Sequence, residues 1–131
     1  MKQASKALIY DQKEYLMQLR DNDPLIPYSN HWSFFGGGIN NEETPWEALK
    51  RELKEELNWQ PNNGQFLYEW IDRKTNSCNH IFAVPFVGDR HDLILLEGQA
   101  LHWFTLKEIQ ENEFMVPSIE NHIVNFNLMK K

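Results

Sequence analysis

Residues 36–59 read GGGINNEETPWEALKRELKEELNW: three glycines, a short polar connection, then a run carrying Glu52, Glu55 and Glu56 beside Leu49, Leu53 and Leu57. At about 100° per residue the leucines and Trp46 share one arc of roughly 80°, while Ala48 and the three glutamates fill a neighbouring arc of about 100°. The spacing predicts a helix over 45–57 that packs on one side and presents carboxylates on the other. Thr44-Pro45-Trp46-Glu47 reads as a capping box with proline at the first helical position, which specifies the helix start. Glu52 and Glu56 form an i,i+4 pair that repels unless a cation sits between them. Hard oxygen donors in this number suit Mg2+, with Mn2+ as the alternative, and Mg2+ keeps waters and adds phosphate oxygens to its shell. Glutamates alone would read more plainly as a solvated face flanked by Lys50 and Lys54. The upstream glycines, which allow backbone to approach a ligand, and Arg51, placed to pair with Glu55, favour the cation.

The stretch resembles the Nudix box, G-x5-E-x7-R-E-U-x-E-E-x-G-U with U a bulky apolar residue. Gly37, Glu43, Arg51, Glu52, Leu53, Glu55, Glu56 and Trp59 fill the pattern. Asn58 replaces its last glycine, and asparagine tolerates the left-handed backbone a helix C-terminus needs. Phe35 stands where many members carry proline, and Glu42 where glycine is common. Further along, Glu97-Gly98-Gln99 with His102-Trp103-Phe104 is similar to the loop and strand of MutT-type members in which another glutamate reaches the metal. Arg20 resembles a position that often contacts substrate phosphate.

That resemblance implies an α/β fold, a Nudix-type α/β/α sandwich with a mixed sheet, as one domain over residues 1–131. It implies hydrolysis of a nucleoside diphosphate linked to another group, NDP-X giving NMP and P-X. The metal ligands would be Glu52, Glu55, Glu56 and Glu97 with the Gly36 carbonyl. Glu55, Glu56 or Glu97 would take the proton from the attacking water, with all three open. Arg51 would orient the carboxylates, Glu43 would brace Arg51 or the turn, and Arg20 would hold a phosphate. The rival is a non-hydrolytic nucleotide-binding or regulatory domain of the same fold, against which the intact carboxylates speak.

At 131 residues the chain has the length of one domain, and 41% hydrophobic with 24% charged residues is the composition of a folded one. A net charge of −6 argues against duplex nucleic acid as a partner and leaves a small nucleotide, whose field a bound metal would invert locally. The single Cys78 has no internal disulfide partner, fits a reducing cytoplasm, and is expected in a polar turn over 75–79. No Cys/His spacing suggests zinc, and the five histidines read as surface or packing residues. Neither a signal peptide nor a membrane span is expected from the apolar runs. Monomer and homodimer are both compatible.

Strands are expected over 3–10 and 14–20, joined at Asp11-Gln12-Lys13, then a loop over 21–31 and a short strand over 32–35 entering a glycine turn. A hairpin over 65–74 and 80–87 turns at Asn76-Ser77. Leu93–Leu96 forms an apolar insert able to make a short strand. A strand over 101–104 leads into a second capping box at Thr105–Glu108, and a helix covers 118–129. Tyr28, Trp32, Phe34 and Trp70 could stack on a base, although aromatics in strands are more often core. Counted from Pro117, Ile119 occupies the place where MutT-type enzymes carry an asparagine that reads oxidised guanine, with Asn121 close by. The expectation is weak discrimination among bases.

Overall fold

Apolar alternation along the first two strands sets the layers. In the computed structural model, which describes residues 1–130, β1 (Lys2–Asp11) pairs antiparallel with β2 (Glu14–Leu19) across a turn where Gln12 and Lys13 take positive φ. Successive side chains point to opposite faces. Ala7, Ile9 and Leu16 therefore enter one core, while Leu8, Tyr15 and Met17 enter another.

The remaining elements are β3 (Trp32–Ser33), β4 (Phe35–Gly38), α1 (Pro45–Leu57), β5 (Gln65–Asp72), β6 (Ser77–Pro85), a 3-10 turn at Arg90–Asp92, β7 (Ala100–Thr105), α2 (Leu106–Glu111) and α3 (Ile119–Met129). The sheet runs β3-β2-β1-β6-β5, with β4 on β1 and β7 on β2. β1 and β6 are parallel from Lys2–Ser77 to Tyr10–Pro85, and the other pairs are antiparallel. Leu49, Leu53 and Leu57 of α1 pack with Phe35, Phe82, Val84 and Phe86 on one face. Ile109 of α2 and Ile119, Ile123 and Phe126 of α3 pack with Phe34, Ile81 and Phe104 on the other. The expected α/β/α sandwich with a mixed sheet is thus observed.

Both capping boxes form, at Thr44–Glu47 and at Thr105–Glu108. Asn58 closes α1 in the left-handed conformation, φ 51° and ψ 37°, as its substitution for glycine requires.

Four expectations are corrected. The glycines are a strand rather than a turn: Gly36–Gly38 pair with β1, and the reversal falls later, around Glu42 with φ 72°. The short strand over 32–35 splits in consequence, with β3 on β2 and β4 on β1. Cys78 is buried within β6, because pairing with β1 and β5 extends that strand back to Ser77. Leu93–Leu96 form no strand. Instead the Ile94 and Leu96 amides donate to the Leu57 and Glu56 carbonyls at 3.1 and 2.8 Å, satisfying the end of α1.

Candidate active site

The site begins with two glycines that let α1 lie against β4. A Cβ on Gly36, whose φ is 139°, would meet the Ser5 carbonyl oxygen at 2.1 Å, and one on Gly37 would meet the Glu52 carboxyl at 2.5–2.6 Å. Glycine is required at Gly36, and at Gly37 any side chain would displace the Glu52 carboxyl. The Gly36 amide donates to Glu56 Oε1 at 3.0 Å, drawing that carboxyl under the sheet until Glu56 is only 3% exposed. Burial, with the Glu52 charge next, pushes the Glu56 carboxyl up to about 8, while Lys6 and the Gly36 amide pull the other way. Burial also raises Glu52, against the pull of Arg51.

Glu97 arrives from the opposite side. The bonds that tie residues 94 and 96 to the end of α1 fix one flank of its loop. On the other flank, Gln99 donates from its backbone to the Leu19 carbonyl at 2.8 Å and from its side chain to the Arg20 carbonyl at 2.7 Å. Glu52, Glu56, Glu97, Gly36 and Gly37 line one cavity of about 350 Å3 together with Gln18, Arg20 and Gly98. Three carboxylates with backbone around a small cavity are a hard-oxygen donor set, which fits Mg2+ or Mn2+.

Glu55 stands apart at the rim with its side chain half exposed, and it does not line that cavity. Arg51 links it to the rest. Its guanidinium donates to Glu43 at 2.7 and 3.0 Å, to Glu52 at 3.1 Å, to Glu55 at 3.3 Å and to the Gly38 carbonyl at 2.9 Å. Glu43 braces Arg51 and also accepts from the Asn40 amide at 2.8 Å, so it steadies the turn as well. The Glu43 hydrogen bond is the largest influence raising Arg51, which stays charged.

Arg20 and Gly37 also line a second cavity of about 550 Å3, so the two spaces adjoin. Arg20 Nε donates to the Pro27 carbonyl at 2.9 Å. Tyr28, Phe34, Trp70, Ile119 and His122 form much of this second wall, whereas Trp32 packs elsewhere, edge-on to Phe104 at 5.0 Å. Ile119 lines it and Asn121, which is exposed, does not.

Three residues of this cavity escaped the sequence reading. Lys6 interrupts the apolar run of β1 and lines the wall beside Arg20; burial and the Arg20 charge hold its ammonium below the usual range, opposed by Glu56 and Glu52. Asp72, 8% exposed, accepts from the Tyr28 hydroxyl at 3.0 Å and from the Lys74 amide at 2.9 Å. Tyr28 itself has a left-handed φ of 54°, and burial, then the Asp72 bond, raises its hydroxyl to about 12. His122 hydrogen-bonds the Tyr68 hydroxyl at 2.8 Å, and burial lowers it to about 4. A cation on the same face of the first strand as Leu8 was the one available sequence signal, at Lys6; Asp72 and His122 carried none.

Known proteins place this geometry. The chain matches the NUDIX domain family over residues 2–124. Relatives named RNA pyrophosphohydrolase include one from Marinomonas sp., 50% identical over 78 residues (59% of this chain, 45% of that protein), and one from Sulfurovum sp., 35% identical over 94 residues (66% and 59%). The chain spans about half the length of these curated relatives. Among solved structures, the MutT protein of Methanosarcina mazei Go1 superposes with a TM-score of 0.79 at 21% identity, covering 99% of this chain and 95% of that one. The NUDIX domain of Shewanella oneidensis NrtR, complexed with ADP ribose, gives 0.79 at 15% identity over 100% and 89%. The box residues, the fold they are built into and the match over nearly the whole chain make this protein a member of the Nudix family.

Proposed function

We propose that this chain is a metal-dependent hydrolase of phosphoanhydride bonds that converts a nucleoside diphosphate derivative, NDP-X, to NMP and P-X. The observation that carries the reading is the junction of the two cavities. A carboxylate-lined space suited to a cation opens, past Arg20 and Gly37, onto an aromatic-lined space large enough for a nucleoside.

Glu52, Glu56 and Glu97, with the Gly36 carbonyl and Glu55 from the rim, would hold Mg2+ or Mn2+. When bound, such an ion offsets charge on phosphoryl oxygens and lowers the pKa of a bound water toward neutrality. Glu56, its carboxyl pushed up to about 8 in the metal-free protein, would release its proton to solvent on ligating such a cation. Arg51 keeps Glu52 and Glu55 in place through its bonds to their carboxylates, with Glu43 and the Gly38 carbonyl holding the guanidinium from behind. Arg20 and Lys6, cations beside the junction, neutralise substrate phosphates. The proton of the attacking water goes to Glu55, Glu56 or Glu97, which single Gln variants separate. On the far side Tyr28, Phe34 and Trp70 offer ring faces to a base, and Asp72 accepts hydrogen bonds from a base edge that carries amino groups.

Hydrolysis of a panel of nucleoside triphosphates, nucleotide sugars, ADP-ribose and 5′-triphosphorylated RNA, with and without Mg2+, tests the reading. Metal-dependent release of NMP from the small nucleotides is expected. Activity confined to RNA would instead match the activity named in the relatives. Nucleotide binding without turnover would identify a binding domain.

A further inference from the structure

On the sheet face that carries α1, away from the aromatic cavity, Glu69, Cys78 and His80 converge across the β5–β6 ladder. Their donor atoms all lie within 4.8 Å of one another. Cys78 and His80 are two residues apart on β6 and so share a face, and Glu69 pairs directly with His80. The opposite face of the same strand supplies Ser77, Asn79 and Ile81 to the aromatic cavity. Cys78 is 7% and His80 9% exposed, whereas the Glu69 side chain is 60% exposed and free to move.

Orientation makes this more than a coincidence of residue types. His80 Nε2 lies 2.9 Å from Gln3 Oε1, a carbonyl that accepts its proton. Nδ1 lies 3.7 Å from Glu69 Oε1, and in the neutral ring it turns its lone pair that way. Fixing one ring nitrogen by a carbonyl so that the other can ligate is how metal-binding histidines are oriented.

We propose that Glu69, Cys78 and His80 form a second metal site, separate from the glutamate cluster of α1, that takes a thiophilic divalent cation, Zn2+ by its donor set. Sulfur, imidazole and carboxylate with water in the fourth place are a zinc environment, while a thiolate disfavours Mg2+. Bonds of about 2.0–2.3 Å place tetrahedral donors roughly 3.5 Å apart, so closure needs about 1 Å of movement. Glu69 supplies it. Cys78 loses its thiol proton to solvent as the metal–sulfur bond forms, and the ion ties β5 to β6.

The test uses Co2+ as a spectroscopic substitute, with excess Mg2+ present to occupy the α1 carboxylates. Because Cys78 is the single cysteine of the chain, a thiolate-to-cobalt charge-transfer band can come from this site alone. The wild type should show the band and lose it on adding Zn2+; Cys78→Ser should lack it. Glu69→Gln, at an exposed position that leaves folding intact, should weaken the affinity tenfold or more. Zn2+ at a hundred times its dissociation constant should raise the wild-type Tm by about 10 °C and leave Cys78→Ser unmoved. Saturation with Co2+ without the band would overturn the proposal. So would a band of unchanged affinity in both Glu69→Gln and His80→Gln, which would leave a lone thiol as the binder.

Discussion

The two faces of α1 are a few ångströms apart and act in opposite senses. Leu49, Leu53 and Leu57 are fully buried against β1, β4 and β6, and each contributes about 1.5–3 kcal/mol by leaving water. Glu56, one residue before the last leucine, is nearly as buried, yet its burial is unfavourable and its carboxyl is pushed up to about 8. A helix optimised for stability alone would not bury that group. The difference marks where folding gives way to the proposed chemistry: one face holds the helix on the sheet, and the other buries carboxylates, at a cost to their charged form, where the proposed cation would sit.

The largest expected effect separates the faces most cleanly. Replacing Glu56 with Gln keeps its shape and its bond from the Gly36 amide but removes a charge, so turnover should fall about 100-fold or more with the fold intact. Leu53→Ala should do the reverse, lowering stability by about 2–5 kcal/mol in urea unfolding while the folded fraction keeps its turnover. If the Glu variant unfolded and the Leu variant did not, the two faces would have been assigned the wrong way round. For Glu97→Gln, a roughly 10²-fold loss of turnover with unchanged unfolding would place Glu97 in the reaction. Wild-type rates at saturating Mg2+ would remove it and leave the proton to Glu55 or Glu56.

A smaller effect concerns His122, another buried titratable group, in the first turn of α3. Its folded pKa, about 4, lies below the ordinary 6.5, so the unfolded chain binds more protons between those values. Its contribution to stability is present above about pH 6.5 and is lost as pH falls toward 4, roughly 3 kcal/mol in all. Urea midpoints for wild type and His122→Gln across that window should show a shallower pH slope in the variant. An equal slope would assign the acid loss to other groups.

The smallest effect is in base choice. Ile119 lines the aromatic cavity and has no donor or acceptor, and Asn121 is turned away from it. Preference for 8-oxo-dGTP over dGTP should therefore stay below about tenfold, within the range of apolar contacts. A ratio of kcat/KM above a thousandfold would show that Asp72, Asn79 or another polar group of the cavity reads the oxidised edge.

What the sequence made legible follows from locality. The two capping boxes, the limits of α1, the left-handed Asn58 and the Arg51 bridge depend on residues within a turn or two of one another, where spacing reports contact. Most strand positions followed from aromatic and β-branched runs bounded by turn residues. The errors are long-range. Gly36–Gly38 look like a turn until β1 is present to pair with them, and Cys78 looks polar and exposed until β6 is seen to run through it. Leu93–Leu96 have the composition of a strand, yet the open carbonyls at the end of α1 claim their amides. Lys6, Asp72 and His122 join one cavity from β1, β5 and α3, and no spacing within the chain announces that meeting.

The central claim is that the Glu face of α1 is built around a cation. Thermal unfolding of the wild type and Glu56→Gln at pH 8, each with and without Mg2+, tests it most directly. A carboxyl whose folded pKa is raised to about 8 stabilises below about pH 4.5 and loses that contribution as pH rises through 8. Metal-free Glu56→Gln should therefore melt higher than metal-free wild type, by roughly 1–3 kcal/mol, and Mg2+ should stabilise the wild type much more than the variant. A metal-free variant that melts lower than the wild type, with an equal gain from Mg2+ in both proteins, would contradict the account.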